Sequence, residues 1–472
     1  MQEKVYDFLV IGVGVVGASI FNDLARCGYS VVAVDKASDV ATGASKANSG
    51  LVHAGFDPKP GTLKAILNVQ GNKMYPSICK RLGVPLKQTG AIVAGTHKTV
   101  MQALIKNGKQ NGVENLEILD AQQLKAKVPN ISEKMKYGIY AKDAYIVSPY
   151  LFTICLAEEA VINGGKLILE YKIKKCAYKN NLYYVTNGKD VIVAKTIINA
   201  AGFGANDIAK LFGTEQYDIQ YKRGEYFVLD SSEKDLVPLT VFPEPTAQTK
   251  GVLVTPTIDG NILVGPTSIL GEYKMETTLA GLNEIKAKSV TTIDNINFKK
   301  TIRVFSGVRT IVGGDFVIEK SKKKPAFINI AGICSPGLSA APAISRCVLA
   351  LLGIDYKVVN NNKIKPYRLL KDLSLSKRNE LIKENSSYGK IICKCEDISE
   401  GEIIDALNRP FSVKSIDGIK RRVRAGMGRC QGGFCADRVA QIIANYHKIP
   451  LEEVLKENKG SNLIVGNIRG KQ

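Results

Sequence analysis

The chain has 472 residues, 45% of them hydrophobic, a length too great for one ordinary core and a composition ordinary for globular proteins, so two or three domains are expected. Lys and Arg number 65 against 44 Asp and Glu, a formal charge of +21, which favours anionic ligands, acidic partners or an anionic membrane surface. The basic residues are scattered and form no nucleic-acid-binding motif, which argues against a nucleic-acid partner, and no apolar run reaches the ~18–20 residues that span a bilayer.

Residues 7–12 (DFLVIG) read as a buried strand, Val15 to Arg26 as a helix stopped by Gly28, and Ser30 to Asp35 as a second buried strand. Together they make a β-α-β unit. Gly12, Gly14 and Gly17 interrupt the apolar stretch from Phe8 to Ile20, which therefore reads as strand, turn and helix rather than as a signal peptide. The expected compartment is the cytoplasm, with peripheral association at the inner face of an anionic membrane left open. Residues 40–62 are rich in Gly, Ser, Asn and Pro and read as loop; Leu63 to Leu82 and Pro149 to Asn163 read as helices. Lys166 to Lys174 and Leu182 to Asn187 alternate like strands, and Val191 to Ala201 is a buried strand whose end, TIINAAG (196–202), enters a glycine turn. Residues 217–330 are strand-rich, with turn signals at 258–261 (IDGN) and 312–315 (VGGD), as suits an antiparallel sheet capping a cofactor site. INIAG (328–332) is a further buried strand, and 335–353 reads as a loop and helix with Pro342 in its first turn.

The expected fold is α/β with an α+β cap. A Rossmann-type domain is expected from segments of about 1–85, 150–215 and 328–355, and an antiparallel-sheet substrate domain from about 86–149 and 216–327. A polar linker wraps the surface over 356–388, and a separate small helical domain covers 389–472.

Gly12-Val13-Gly14-Val15-Val16-Gly17 is GxGxxG between a strand and a helix, and Asp35 ends the second strand 18 residues after Gly17. Gly12 suits the tight turn, Gly14 the approach of backbone to a pyrophosphate, and Gly17 close helix–strand packing, with Asp35 accepting from a ribose. The helix opening at Val15 and Val16 turns its positive end to the phosphates. The polar loop 42–50, with Ser45, Asn48, Ser49 and Gly50, can supply donors along a longer nucleotide, which points to FAD rather than NAD. Two later glycine turns, at Ala201-Gly202 and Gly332, and the helix opened by Gly337, Leu338 and Ser339 suit a flavin's anionic edge. Lys36 and Ile173 complete the expected cofactor contacts.

Ten cysteines are present. Cys27, Cys79, Cys155, Cys176, Cys334 and Cys347 are isolated and read as buried or incidental thiols. Cys393-Lys394-Cys395 and Cys430 to Cys435 form C-x-C, 34 residues, then C-x4-C. Two close thiolate pairs match the needs of a [2Fe–2S] cluster, two sulfur ligands per iron; an all-cysteine zinc site is the alternative, although zinc usually prefers C-x2-C knuckles.

On the stretches SKANSGLVHAGFDPKPGTLKA (45–65), INAAG (198–202), RGEYF (223–227), LVTPTIDGNILVGPT (253–267), SGVRT (306–310) and INIAGICSPGLSAAPAI (328–344), the chain resembles the glycine/D-amino-acid-oxidase superfamily over about residues 1–355. Within it, the chain is similar to bacterial FAD-dependent glycerol-3-phosphate dehydrogenases of the anaerobic type, and nearly as similar to the L-2-hydroxyglutarate oxidase group. IICKCEDISEGEI (391–403) and IKRRVRAGMGRCQGGFC (419–435) resemble the small [2Fe–2S] domain related to bacterioferritin-associated ferredoxin. The resemblance implies oxidation of a small anionic substrate, with electrons leaving FAD through the cluster to an electron-accepting protein or subunit. An amino-acid or 2-hydroxy-acid dehydrogenase, or a non-catalytic electron-transfer subunit, would fit the same scaffold.

Removing a hydride from a carbinol carbon also requires a base for the hydroxyl proton. Of the three histidines, His53 lies in the loop expected to pass the flavin; it is the candidate base, or else packs against the flavin, while His97 and His447 sit in polar, surface-like contexts. The resemblance places a substrate-binding arginine at Arg309, whose planar fork can grip phosphate or carboxylate. Arg223 and Lys250 are second cations for the substrate, or solvated surface charges.

Overall fold

A computed structural model describes residues 4–245, 251–271 and 273–466. The N-terminal unit comprises β1 (Val5–Ile11), α1 (Val15–Arg26) and β2 (Val31–Val34). Helices α2 (Leu63–Leu82) and α3 (Pro149–Ile162) follow, and β3 (Val191–Asn199) returns beside β1. After β4 (Ile219–Leu229) and β5 (Thr301–Val312), β6 (Phe327–Ala331) pairs with β3 and leads into α4 (Gly337–Leu351).

Strand alternation gives the first sheet two buried faces. Phe8 and Val10 of β1, with Val31 and Ala33 of β2, enter the core shared with the helices, while Leu9, Ile11, Val32 and Val34 enter a second core on the other face. The parallel registers align the strand ends: Val34 pairs with Ile11, Ile11 with Asn199, and Asn199 with Asn329. The turns that follow β1, β3 and β6 therefore emerge together at the carboxyl edge of the sheet, where open α/β sheets hold their ligands. The buried Asn199 secures this edge through its Nδ2, which donates to the Ala205 carbonyl at 2.9 Å and to Asn329 Oδ1 at 3.1 Å.

Pro342 is the sixth residue of α4, in the second turn rather than the first. Its missing N–H would leave the Leu338 carbonyl unpaired inside the helix, but the Tyr75 hydroxyl donates to that carbonyl at 2.6 Å. Tyr75 is fully buried on α2. Tyr75→Phe should therefore lower stability by ~1–3 kcal/mol, the cost of an orphaned buried acceptor; a urea unfolding midpoint equal to that of the parent protein would show that the carbonyl finds another donor.

The second sheet draws its strands from residues 91–141 and 219–312 and is mainly antiparallel, as expected for a cap. Thr240–Pro243 runs parallel to Ala91–Gly95, joining the two chain segments. Its long pair β4–β5 packs onto the loop after β2: a Cβ on Gly307 would lie 2.0 Å from the Ala47 carbonyl oxygen.

The stretch 355–388 crosses the surface of α1 and α3, with the Val359 N–H donating to the Arg26 carbonyl and Asn163 Nδ2 donating to the Asn362 carbonyl. It also carries a helix, Leu375–Glu384, capped by Ser374. That helix buries no side chain, so its sequence had no apolar period to reveal it. Beyond it, residues Cys393–Val454, including α5 (Ile416–Val423) and α6 (Ala436–His447), surround their own apolar core.

This last unit does not sit apart. Asp39, fully buried, accepts from Arg421 Nη2 at 2.9 Å and from Arg422 Nη1 and Nη2 at 2.9 and 3.0 Å. Arg409 pairs with the buried Glu158, Lys46 with Glu457, and Arg424 with Asp259 at 2.6 Å. Among the described residues, no helix is long and apolar enough to cross a membrane.

Candidate functional site

The converging turns enclose a cavity of about 870 Å³. Gly12 holds φ +94°, and a Cβ there would lie 2.6 Å from the Ala200 carbonyl oxygen; a Cβ on Gly17 would lie 1.9 Å from that of Gly12. The Val15 N–H donates to Ser45 Oγ at 2.9 Å, so the loop after β2 caps α1 from outside. Asp35 accepts from the Val13 N–H at 2.8 Å and the Ala37 N–H at 3.0 Å. Burial pushes its carboxyl above the ordinary range, against the pull of those two donors.

Of the expected cofactor contacts, Gly12, Gly14, Val15, Val16, Asp35, Lys36, Ser45, Asn48, Ser49, Ile173, Ala201, Gly202, Gly332, Gly337 and Leu338 line the cavity. Gly17, Gly50 and Ser339 stand behind it: Gly50, at φ +69°, abuts the Val147 carbonyl, and buried Ser339 Oγ accepts the His53 N–H at 2.7 Å. The lining fits FAD. Helices α1 and α4 both open onto the cavity with no acidic residue in the first turn, leaving their positive ends available to anions. Asp35 stands at the end of β2, where a ribose is held in such folds.

His53 and Arg309 line the same cavity. The His53 carbonyl accepts from Asn72 Nδ2 at 3.0 Å, and its ring lies 5.9 Å from that of Phe242. Arg309 Nη2 donates to the Thr267 carbonyl at 3.1 Å, which orients the guanidinium. Arg223 does not reach the cavity: its Nε lies 3.0 Å from Glu225 on the other face of β4. Strand alternation instead brings Lys222, Gly224 and Tyr226 to the lining, a period that the sequence already carried. Lys250 lies outside the described residues; Gly251 beside it lines the cavity, as do Lys59, Lys64, Thr267 and Cys334, which sequence reasoning did not select. His97 is exposed and pairs with Glu244 at 2.8 Å, while half-buried His447 contacts Ser412 and the Val413 carbonyl.

The four clustered cysteines meet as two pairs. Cys395 Sγ lies 3.6 Å from Cys430 Sγ. In the other pair, a hydrogen bond from Cys435 draws the Cys393 thiol down to about 6, while that same bond raises Cys435. Burial pushes Cys430 up, but the backbone N–H groups of Phe434 and Gly432 bring it below the usual thiol range, and Cys395 is raised. Each pair thus contains one sulfur that readily becomes thiolate, the form that binds metal. Two sulfurs and two sulfurs match the ligand count of a two-iron cluster. A Cβ on Gly428 would lie 2.3 Å from Cys395 Cβ, so the loop closes tightly on the sulfurs.

Two family models match the chain: FAD dependent oxidoreductase over residues 7–351, and BFD-like [2Fe-2S] binding domain over 391–445. A "Glycerol 3-phosphate dehydrogenase" of Caloramator mitchellensis is 40% identical over 472 residues, 98% of each chain. A "Glycerol 3-phosphate oxidase" of Mycoplasma genitalium is 30% identical over 74% of this chain and 95% of its own length. The solved structure of dithionite-reduced L-alpha-glycerophosphate oxidase from Mycoplasma pneumoniae with FAD bound superposes with a TM-score of 0.74 at 27% identity, over 77% of this chain and 100% of that one.

Proposed function

The chain belongs to the FAD-dependent oxidoreductases, and from that premise we propose that it is a dehydrogenase converting glycerol-3-phosphate to dihydroxyacetone phosphate, with FAD and a [2Fe–2S] cluster as its cofactors. The observation that carries this reading is the likeness to a glycerol 3-phosphate dehydrogenase along 98% of the chain, flavin region and cysteine module together. The match to the oxidase relative takes in 74% of the chain and nearly all of the oxidase, so a module remains that supports passing electrons onward to an acceptor protein.

Bound FAD supplies the hydride acceptor, and the cluster a one-electron carrier. The chain's own residues do the rest. Arg309, fixed by the Thr267 carbonyl, grips the substrate phosphate through its remaining N–H groups. Lys222 adds a second positive charge to the cavity wall. The His53 imidazole receives the hydroxyl proton as the substrate carbon loses its hydride, leaving a ketone. The Ser339 and Asn72 contacts to the His53 main chain hold the ring's backbone in place.

Anaerobic mixing with glycerol-3-phosphate should bleach the flavin, and bleaching by 2-hydroxyglutarate or an amino acid alone would overturn the substrate. The purified protein should release FAD on acid treatment and contain about two irons per chain with labile sulfide; one zinc and no sulfide would refute the cluster. Cys430→Ser should lose the iron yet stay yellow, since the contacts of Asp39, Arg421 and Arg422 do not involve that loop.

A further inference from the structure

The cysteine loop displays a side chain that its own fold leaves unused. Phe434, between Cys430 and Cys435, is 85% exposed, whereas the apolar residues around it in sequence are largely buried. The cluster ligands differ in exposure: Cys393 and Cys435 are buried, Cys430, to which the Phe434 N–H donates, is half-buried, and Cys395 is exposed. One edge of the cluster thus comes to the surface beside an exposed phenyl ring.

The surroundings of that edge are cationic. Lys394, between two of the ligands, is exposed and makes no ion pair among the described residues. Among the described residues Arg303 donates to a neutral partner, Gln431 Oε1, at 3.2 Å. Arg429, beside Cys430, has a side chain 71% exposed and pairs with Asp230, whose N–H is held by the carbonyl of exposed Lys300. The adjacent acids are already matched, Asp230 by Arg429 and Glu396 by Arg424 and Lys371; Asp437 is the exposed acid of the following helix turn.

We propose that this surface is the docking site for a small acidic electron-carrier protein, with Phe434 as the apolar anchor and Lys394, Arg303, Arg429 and Lys300 as the steering rim. The inference rests on the reading that the cluster passes electrons out of the enzyme. An aromatic anchor inside a charged rim is the anatomy of a protein interface, and electron-transfer encounters use small patches of this kind. Complementary charge gives such encounters a fast, salt-sensitive on-rate without tight binding.

The test uses the holoenzyme, reduced photochemically so that no substrate is involved. It is mixed with the soluble haem domain of an acidic b-type cytochrome, or with basic cytochrome c as the charge control. The acidic acceptor should be reduced ~10-fold faster at low salt, with its rate falling about as steeply between low and ~0.3 M salt. Phe434→Ala and Lys394→Glu should each slow it ~10-fold at unchanged iron content. A carbodiimide cross-link should join Lys394 or Lys300 to carboxylates of the acidic acceptor. Because Phe434 lies within the cysteine loop, Arg303→Glu on the cap sheet provides a second variant that cannot remove a cluster ligand, and it too should slow the acidic acceptor. Equal rates for both acceptors, or variants with intact clusters and parental rates, would overturn the proposal. So would Phe434-dependent binding to phosphatidylglycerol vesicles without any effect on the acidic protein. Failure of the substrate reading would appear separately, as a flavin that glycerol-3-phosphate does not bleach while these rates stand.

Discussion

His53→Asn is expected to slow anaerobic flavin reduction by glycerol-3-phosphate ~10²–10⁴-fold, the usual worth of a positioned general base. Asn is close in size and can preserve the main-chain contacts to Ser339 and Asn72, because these use the His53 N–H and carbonyl rather than the ring. Substrate affinity should therefore change little, and the loss should sit in the rate at saturation. Arg309→Leu should divide the effect the other way, raising the substrate concentration needed for half-maximal reduction; Arg309→Lys should recover the charge but not the fork. A loss at His53 seen only in affinity would mean that the ring supports the cavity and does not move the proton. That outcome would leave the FAD and cluster assignments untouched, because other residues carry them.

The second large effect concerns stability. Asp39→Ala should destabilise the protein by ~3–5 kcal/mol, because it leaves Arg422, already removed from water, with no carboxylate and leaves Arg421 with Glu457 alone. Arg421 and Arg422 have side chains 5% and 0% exposed, and both use Asp39. Arg422→Met should cost less, since Asp39 keeps Arg421. Burial raises the Asp39 carboxyl, but the Arg422 and Arg421 guanidiniums outweigh it and hold the group below its ordinary value of 3.8. A depressed carboxylate stabilises the fold at pH above its unfolded value and loses that contribution as pH falls through its folded value. The parent protein should thus lose stability between about pH 4 and lower pH more steeply than the Asp39→Ala variant, as calorimetry across that range would reveal. Asp39 lies four residues beyond Asp35, in the loop that also carries Ser45, so FAD release on heating should begin earlier in the variant.

Much of the nucleotide region was legible because its signals are local. The helix from Val15 to Arg26 and that from Leu63 to Leu82 have the expected bounds, the first framed by glycine turns and the second capped by Thr62 and Gly83. The turns at Gly12, Gly202 and Gly332 could each be read singly, and parallel register then brought them together. Reading failed where a side chain's role depends on which face it takes or on distant partners. Basic character alone could not separate Arg223 from Lys222, although a period of two along β4 separates them. The Tyr75 hydroxyl that satisfies the Leu338 carbonyl lies 263 residues away in the chain. Asp39 and Arg422 are 383 apart, and nothing in either local sequence announces that the final unit is bound to the nucleotide loop by buried charge.

The alignment of Val34, Ile11, Asn199 and Asn329 also bears on how the protein is made. The sheet edge at which the nucleotide sits needs strands from residues 5–34, 191–199 and 327–331 to be paired at once. During synthesis the first β-α-β unit leaves the ribosome long before its neighbour β3, and β6 beyond it, exist, with the edge of β1 uncovered. FAD cannot find its finished cradle until α4 has emerged, some three-quarters of the way along the chain. Pairing across such separations is slow, so the nascent chain passes through a long interval in which its nucleotide fingerprint is present but its binding site is not.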